Sequence, residues 1–93
     1  MSSLHILGEI ATLPSLLPGG LQMVMEITAF EADDFERMKV LVWRGVGEII
    51  KEKHQTGEKI AIKGRLVKRD EETVLLAERV SLFTVEKNEN VAE

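Results

Sequence analysis

Cysteine is absent from this chain of 93 residues, which excludes disulfides, thiol nucleophiles and thiolate metal sites. The two histidines, His5 and His54, are far apart and lack the spacing of a ligand pair, so we expect neither a metal nor a cofactor. Apolar runs do not exceed five residues, whereas a membrane helix needs about 18 to 20. The first residues also lack the cationic and apolar segments of a secretion signal. These absences predict a soluble cytoplasmic protein without an integral membrane segment.

Aromatic residues are few, with one Trp, three Phe and no Tyr. Residues that could support catalysis are equally sparse. The acidic clusters at 33–36 and 70–72 have no partner base, nucleophile or metal-ligand set, and acidic turns are usually just solvated. Gly45-Val-Gly47 is far too short for a phosphate-binding loop of the Walker type. We therefore predict that the protein is not an enzyme.

Positive charge is missing from the first third of the chain, because all twelve Lys and Arg lie at or after Arg37. The net charge is −6 over residues 1–36, +7 over 37–69 and −5 over 70–93. Attraction to phosphate depends on charge within a Debye length of roughly 8 to 10 Å, so a basic middle third favours a local polyanion site in an acidic protein. The alternative is that these cations only decorate solvated strands and a helix.

The length fits one domain, which we place at residues 1–85, followed by a short polar tail at 86–93. Alternation of apolar residues predicts five strands, at residues 4–10, 21–30, 37–43, 58–69 and 73–83. Prolines and glycines predict a loop at 11–20. The helical spacing of Val46, Ile49 and Ile50 before Gly57 predicts one short helix. This order is typical of an all-β, five-stranded barrel with a helix between the third and fourth strands, the oligonucleotide/oligosaccharide-binding (OB) fold.

The same alternation assigns side chains to faces. The second strand directs its odd positions to the core, namely Leu21, Met23, Met25, Ile27 and Ala29. The third strand directs Met38, Val40 and Val42 inward, which leaves Arg37, Lys39, Leu41 and Trp43 on the opposite face. The fourth directs Ile60, Ile62 and Leu66 inward and leaves a cationic stripe of Lys59, Lys63, Arg65 and Arg69.

A Leu at position 41 on an open face indicates cover by a loop or by a partner chain. The poor alternation of the fifth strand indicates burial on both sides or a bulge.

Four segments carry a family resemblance. Residues 38–50, Met-Lys-Val-Leu-Val-Trp-Arg-Gly-Val-Gly-Glu-Ile-Ile, and 56–66, Thr-Gly-Glu-Lys-Ile-Ala-Ile-Lys-Gly-Arg-Leu, resemble the third strand, helix and fourth strand of the bacterial single-stranded DNA-binding protein (SSB) family. Residues 75–82, Leu-Leu-Ala-Glu-Arg-Val-Ser-Leu, are similar to the last strand of PriB, the primosomal relative of SSB. Leu7-Gly-Glu-Ile matches the family's first strand. The resemblance spans roughly residues 4–83, and small SSB-like proteins of this kind are encoded by cyanobacteria and algal plastids.

The resemblance implies a function and a set of contacts. Trp43 falls where the family has an aromatic that stacks on bases, and Lys39 falls at a cationic position two residues earlier. Arg37 stands where SSB has another stacking Trp, and Asp70 or Glu71 stands where SSB has a third. A chain with fewer platforms and a retained basic stripe is closer to PriB. Guanidinium stacking by Arg37, Arg44 or Arg65 can partly replace the lost rings, so we expect weaker and more salt-sensitive binding.

The predicted function is sequence-independent binding of single-stranded DNA, or of RNA in its place, in replication, recombination or repair. The predicted contacts are Trp43, Arg37, Lys39, Arg44, Lys59, Lys63, Arg65, Arg69 and Phe30. Two of them have alternatives: Trp43 could be packed rather than stacked, and Phe30 could close the barrel. The competing function is an OB module that docks other proteins.

Assembly and location are predicted more coarsely. We expect a homodimer or a dimer of dimers through the apolar edge at residues 4–7. Replication proteins are candidate partners, and the expected location is the cytoplasm, in association with the nucleoid. His54, at the end of the helix, is expected to be solvated. Gly64 is expected to allow strong curvature of the barrel.

Overall fold

Five strands and one helix follow one another in the computed structural model, which describes residues 3–30 and 35–83. They are β1 (Leu4–Leu16), β2 (Gln22–Phe30), β3 (Phe35–Trp43), α1 (Arg44–Lys53), β4 (Lys59–Arg69) and β5 (Glu72–Phe83). The strands close a barrel in the order β1-β2-β3-β5-β4. Only β3 and β5 are parallel neighbours. The predicted all-β OB barrel and the place of its helix are confirmed. The predicted tail at 86–93 lies outside the described residues.

The core is the inside of the barrel, filled by one face of each strand and by one residue of the helix. Its buried members are Ile10, Met23, Met25, Ile27, Val40, Val42, Ile50, Ile60, Ile62, Leu75 and Ala77. Alternation therefore predicted the inward faces of β2 and β3 correctly, apart from Leu21. That residue is 72% exposed because it precedes β2 and belongs to the turn before it.

The prediction that the first strand ends at Ile10 is wrong, because β1 continues to Leu16. It pairs with β4 from Leu4 to Glu9 and with β2 from Gly8 onward. Pro14 is tolerated because it lies between the paired residues Thr12 and Ser15, where the register shifts and no regular ladder bond needs its missing N–H. β1 is thus one long strand that pairs with both β2 and β4, and this double pairing closes the barrel.

The prediction that Leu66 faces the core is also wrong, since this side chain is 48% exposed. Among the described residues, β1 pairs with β4 only as far as Gly64, and the β4–β5 register shifts between Lys63 and Gly64. Beyond that shift, β4 pairs with β5 alone. Residues 65–76 form a two-stranded hairpin, which we call the distal hairpin. It stays attached to the barrel where Leu75 and Leu76 pair with β3, and it extends away from the barrel beyond them. The bulge that was one of two explanations for the poor alternation in β5 is present.

Gly64 lies against the main chain of the neighbouring strand β5. A Cβ at this position would collide with the carbonyl oxygen of Leu76, so glycine is required by the close approach of two backbones. The bulge and the glycine together set where the distal hairpin departs from the barrel.

The helix packs on the barrel through a narrower stripe than its sequence predicts. Gly47 and Ile50 are buried, whereas Val46 and Ile49 are exposed. Gly47 is buried because it lies directly against Met23, where a Cβ would collide with the sulfur. The apolar spacing correctly predicted the helix, but two of its three apolar residues face solvent.

His54 is not solvated as predicted. Its Nδ1 lies 2.7 Å from Oε1 of Glu58, and the two side chains are only 15% and 11% exposed. The main chain of the same turn is tied to β1, because Ile10 donates its N–H to Glu58 and Gly57 donates its N–H to Ile10. The pair therefore helps to fix the connection from α1 to β4.

Candidate nucleic-acid interface

One continuous surface covers the outside of β2, β3, β5 and the distal hairpin. Leu41 points outward from β3 because its neighbours in sequence fill the core, and its register partners are Val24 on β2 and Leu76 on β5. Leu76 pairs in turn with Arg65 on β4. Residues directly opposite one another share a face, and every second residue along a strand stays on that face. We call this surface the outer face, and it carries five of the predicted contacts, Arg37, Lys39, Trp43, Arg65 and Arg69.

Trp43 ends β3 and directly precedes α1. It pairs across the β2–β3 ladder with Gln22, and 57% of its surface is exposed. Its exposed neighbours include Val46, which lines a small hollow with it. More than half of the residue is open to solvent, so Trp43 does not belong to the core and its ring is available to a ligand.

Leu41, two residues earlier, is only 4% exposed although it points outward. It lies in a crevice of about 390 Å³ between β2, β3 and the tip of the distal hairpin, whose apolar lining includes Leu17, Val24 and Val74. The chain itself therefore covers Leu41, which favours the loop explanation over the partner-chain explanation. Charged residues also line the crevice, namely Glu26, Lys39, Arg69, Asp70 and Glu72.

Two cations of the outer face are held by carboxylates on neighbouring strands. Arg37 Nη1 donates to Glu26 Oε1 at 2.9 Å, and Lys39 Nζ lies 3.3 Å from Glu72 Oε1. The cation side chains are 61% and 44% exposed, and ion pairs this open are worth only about 0 to 1 kcal/mol. A phosphate can therefore compete with the carboxylates for both cations.

The distal hairpin supplies two more cations. Arg65 Nε lies 3.6 Å from Glu78 Oε2, and Arg69 Nη1 donates to the side-chain oxygen of Gln22 at 3.2 Å. The contact of Arg69 with β2 shows that the tip of the hairpin lies over the outer face. Three of the four outer-face cations have a carboxylate partner, whereas the described partner of Arg69 is neutral. Arg69 is therefore the most available of the four to an anion.

Arg44 and Phe30 lie at opposite ends of the β2–β3 ladder. Arg44, the first residue of α1, pairs with Glu48 at 3.0 Å and donates to the carbonyl oxygen of Gly20 at 3.3 Å. It is therefore adjacent to Trp43. Phe30 is 38% exposed and pairs with Phe35. Eight residues of extended strand separate the levels of Phe30 and Gln22, about 26 Å, so Phe30 and Trp43 cannot contact the same base.

Lys59 and Lys63 lie elsewhere. All four cations of the predicted stripe are exposed along β4. The two ends of the stripe, however, have different neighbouring strands. Arg65 and Arg69 join the outer face through the distal half of β5, whereas Lys59 pairs with Glu9 and Phe83. Lys63 pairs with His5 and Arg79. The stripe therefore runs from the outer face onto the face formed by β1, β4 and β5.

Sequence reasoning missed Arg79 and His5 as neighbours of Lys63. The bulge at Glu78 shifts the phase of β5, so alternation counted from the core residues Leu75 and Ala77 would direct Arg79 inward, to the wrong face. The pairing of β1 with the first half of β4 also has no local signal in either strand.

Within residues 3–30 and 35–83, no three His, Cys, Asp or Glu side chains are placed to hold a metal ion. In the same residues, no helix is long and apolar enough to span a bilayer. Asp33 and Asp34, two residues of the acidic cluster at 33–36, lie outside the part of the chain that the structure describes.

No family model and no curated protein matches this sequence. Its fold does match solved structures. The SSB domain of a Synechococcus protein is 22% identical, with a TM-score of 0.65 over 86% of this chain and 93% of the other. The N-terminal domain of PriB from Thermoanaerobacter tencongensis, described as dimeric, is 12% identical, with a TM-score of 0.70 over 89% and 97%. A small single-stranded DNA-binding protein from Streptomyces coelicolor is 15% identical, with a TM-score of 0.64 over 87% and 91%. The chain therefore has an OB fold of the SSB and PriB type.

Proposed function

We propose that this protein binds single-stranded DNA without sequence preference along its outer face. The observation that carries the proposal is the placement of Trp43, more than half exposed, at the end of β3 on the same face as Lys39 and Arg37. Every base offers a flat ring, so stacking on Trp43 is indifferent to sequence and is worth about 1 to 3 kcal/mol per base.

The cations hold the backbone of the strand. Phosphates displace Glu26 and Glu72 from Arg37 and Lys39, while Arg65 and Arg69 contact phosphates from the distal hairpin. The displaced carboxylates return to solvent, so a phosphate gains less binding free energy from a cation that it must take from a carboxylate than from an unpaired cation. Binding is therefore weaker than it would be on a face whose cations were unpaired, and more sensitive to salt than it would be on a face with more aromatic platforms.

The structural neighbours support this ligand, since they include an SSB domain and a protein described as a small single-stranded DNA-binding protein. We extend the proposal to a role in DNA replication, recombination or repair at the nucleoid, together with replication proteins. RNA is the alternative ligand, because the stacking and phosphate chemistry is shared.

We also propose a homodimer, or a homotetramer built from two dimers. Among the described residues only β4 pairs with residues 4–7 of β1, since pairing with β2 begins at Gly8. The apolar side chains Leu4 and Leu7 on this segment are exposed. The edge of this segment that faces away from β4 has no partner in the described structure, so it can pair with the same edge of a second copy. A molar mass of one chain by light scattering at tens of micromolar would rule the dimer out.

A protein-docking function remains the second candidate. The carboxylates that neutralise Arg37, Lys39, Arg44 and Arg65 favour it. The exposed side chains of Trp43, Val46 and Ile49 could then serve as an apolar contact for another protein. Under this alternative the outer face would show no affinity for nucleic acid even at low salt.

The deciding experiment is titration of Trp43 fluorescence with an unlabelled oligothymidylate at low and moderate salt. The chain has a single Trp and no Tyr, so the signal reports one site. Quenching that weakens steeply with salt supports the single-strand binder. Unchanged fluorescence at low salt, with the protein folded, supports the docking module.

A further inference from the structure

A row of three basic side chains crosses the face that β1, β4 and β5 form, which we call the rear face. Lys63 is the centre of the row, with His5 opposite it on β1 and Arg79 opposite it on β5. The inward direction of Ile60 and Ile62, both buried, sends Lys63 outward, and residues directly opposite share its face. Neighbouring strands are about 4.8 Å apart, so the three side chains stand close together.

No acid belongs to this row. In the described part of the chain, the side chains of His5, Lys63 and Arg79 take part in no hydrogen bond or ion pair, and only their main chains are paired, in the β1–β4 and β4–β5 ladders. Glu78, next to Arg79 in sequence, is already engaged by Ser3 at 3.2 Å and by Arg65 at 3.6 Å. Like charges directly opposite one another destabilise a sheet, so the row carries an electrostatic cost that nothing described in the fold offsets.

The outer face is different in this respect. Three of its cations, and Arg44 beside it, face a carboxylate within 4 Å. The chain has sixteen acids against twelve Lys and Arg, so acids are not scarce. An unpaired basic row in such a chain points to an anion supplied from outside.

The row also lies in a surface hollow of suitable chemistry. The hollow has a volume of about 310 Å³, and its lining includes His5, Leu7, Ala61, Lys63, Arg79 and Ser81. Arg79 can present two parallel N–H groups to a phosphate, and Lys63 can add a point charge. The hydroxyl of Ser81 is a further donor, and Leu7 and Ala61 leave no competing acceptor in the middle.

We propose that this row binds a backbone phosphate of the same single strand that occupies the outer face, so that the strand passes round the barrel along β4. The inference rests on the proposed function. The path is continuous, because Arg65 on the outer face and Lys63 on the rear face are two residues apart on one strand, about 7 Å. Arg69, Arg65 and Lys63 then form successive phosphate contacts, and Arg79 and His5 complete the last one.

The test compares the double variant Lys63→Gln/Arg79→Gln with the control Lys51→Gln/Lys53→Gln, which removes two exposed charges from α1. The probes are oligothymidylates of about 5 and about 20 nucleotides, within and beyond the range that one OB fold covers. The short probe is expected to bind wild type and the control with equal affinity at Trp43, and any loss in the double variant on this probe measures the effect of Arg79 on the hollow that it lines with Trp43. For the long probe, the double variant should flatten the slope of log affinity against log salt by about one to two units, and the control should leave it unchanged.

The outcomes separate the two proposals. Equal slopes for the double variant and the control on the long probe, with normal binding of the short probe, would overturn the rear-face contact and leave the outer-face function intact. Failure of wild type to bind either probe would overturn both. If the double variant does not fold, as judged by circular dichroism, Lys63→Gln alone replaces it, since Lys63 does not line the hollow beside Trp43, with an expected flattening of about 0.7 to 1 unit.

Discussion

Lys39 Nζ on β3 lies 3.3 Å from Glu72 Oε1 at the base of the β4–β5 turn, and this ion pair holds the tip of the distal hairpin against the outer face. Arg69, beside that turn, reaches Gln22 on β2 at 3.2 Å. Both contacts are exposed, so their net contribution to stability is small. They position the hairpin over Leu41 and shape the crevice. They also occupy two cations, Lys39 and Arg69, that a bound strand would need.

Loss of the stacking platform should weaken binding without changing its dependence on salt. We expect Trp43→Ala to reduce affinity for an oligothymidylate by about 1 to 3 kcal/mol, because stacking on an aromatic ring involves no ion release. Fluorescence anisotropy of a labelled oligonucleotide at several salt concentrations measures both quantities. Trp43→Phe is the control and should retain most of the affinity. Wild-type affinity in Trp43→Ala would remove this residue from the site.

Release of Lys39 from its carboxylate should strengthen binding. In Glu72→Gln the net charge rises by one and Lys39 becomes free for phosphate, so we expect higher affinity and a steeper salt dependence. Glu71→Gln is the matched control, because it changes the net charge equally at a neighbouring residue that has no ion pair in the described structure. If both variants bind equally well, the gain comes from total charge and the pairing of Lys39 is irrelevant.

The pair His54 and Glu58 should contribute to stability. Removal of the imidazole in His54→Ala leaves a nearly buried carboxylate without its partner, which costs about 1 to 3 kcal/mol. Urea denaturation measures the change in unfolding free energy. The exposed His5 provides the control, and His5→Ala should change stability by less than about 0.5 kcal/mol. Equal stability of His54→Ala and wild type would show that water satisfies Glu58.

Two glycines should respond in opposite directions to the same substitution. Gly64→Ala places a Cβ against the carbonyl oxygen of Leu76, and such overpacking costs about 1 to 3 kcal/mol. Gly45→Ala, on the exposed surface of α1, meets nothing within 4 Å and should stabilise the protein by about 0.5 to 1 kcal/mol through helix propensity. Thermal denaturation of the two variants provides the comparison. A stable Gly64→Ala would mean that the bulge can shift to accommodate a methyl group.

Local patterns predicted the elements well where one face of a strand is buried along its whole length. The residues Met25 and Ile27 on β2 and Val40 and Val42 on β3 are buried as alternation requires. Alternation failed at Leu66, because it reports which side of a strand is apolar and not whether the barrel still lies on that side. Pro14 led to the wrong end for the first strand for a similar reason. A strand can contain this proline only because the register shifts there, and that shift depends on the partner strand.

The candidate site was predicted in part. The common face of Trp43 and Lys39 follows from their spacing on one strand, because successive side chains of a strand alternate between faces. The carboxylates that pair with Arg37 and Lys39 come from β2 and β5, eleven and thirty-three residues away in sequence. No local pattern could identify them, and none could place His5 and Arg79 beside Lys63.

The sequence by itself determined the all-β class, the order of the elements, the basic middle third and the exposed direction of the β4 cations, since these depend on composition and on the period of a strand. Only the tertiary structure decided which charges meet, which outward side chains are covered, and where the barrel ends and the distal hairpin begins. Those features depend on register between strands distant in the chain, and a bulge of a single residue is enough to change them.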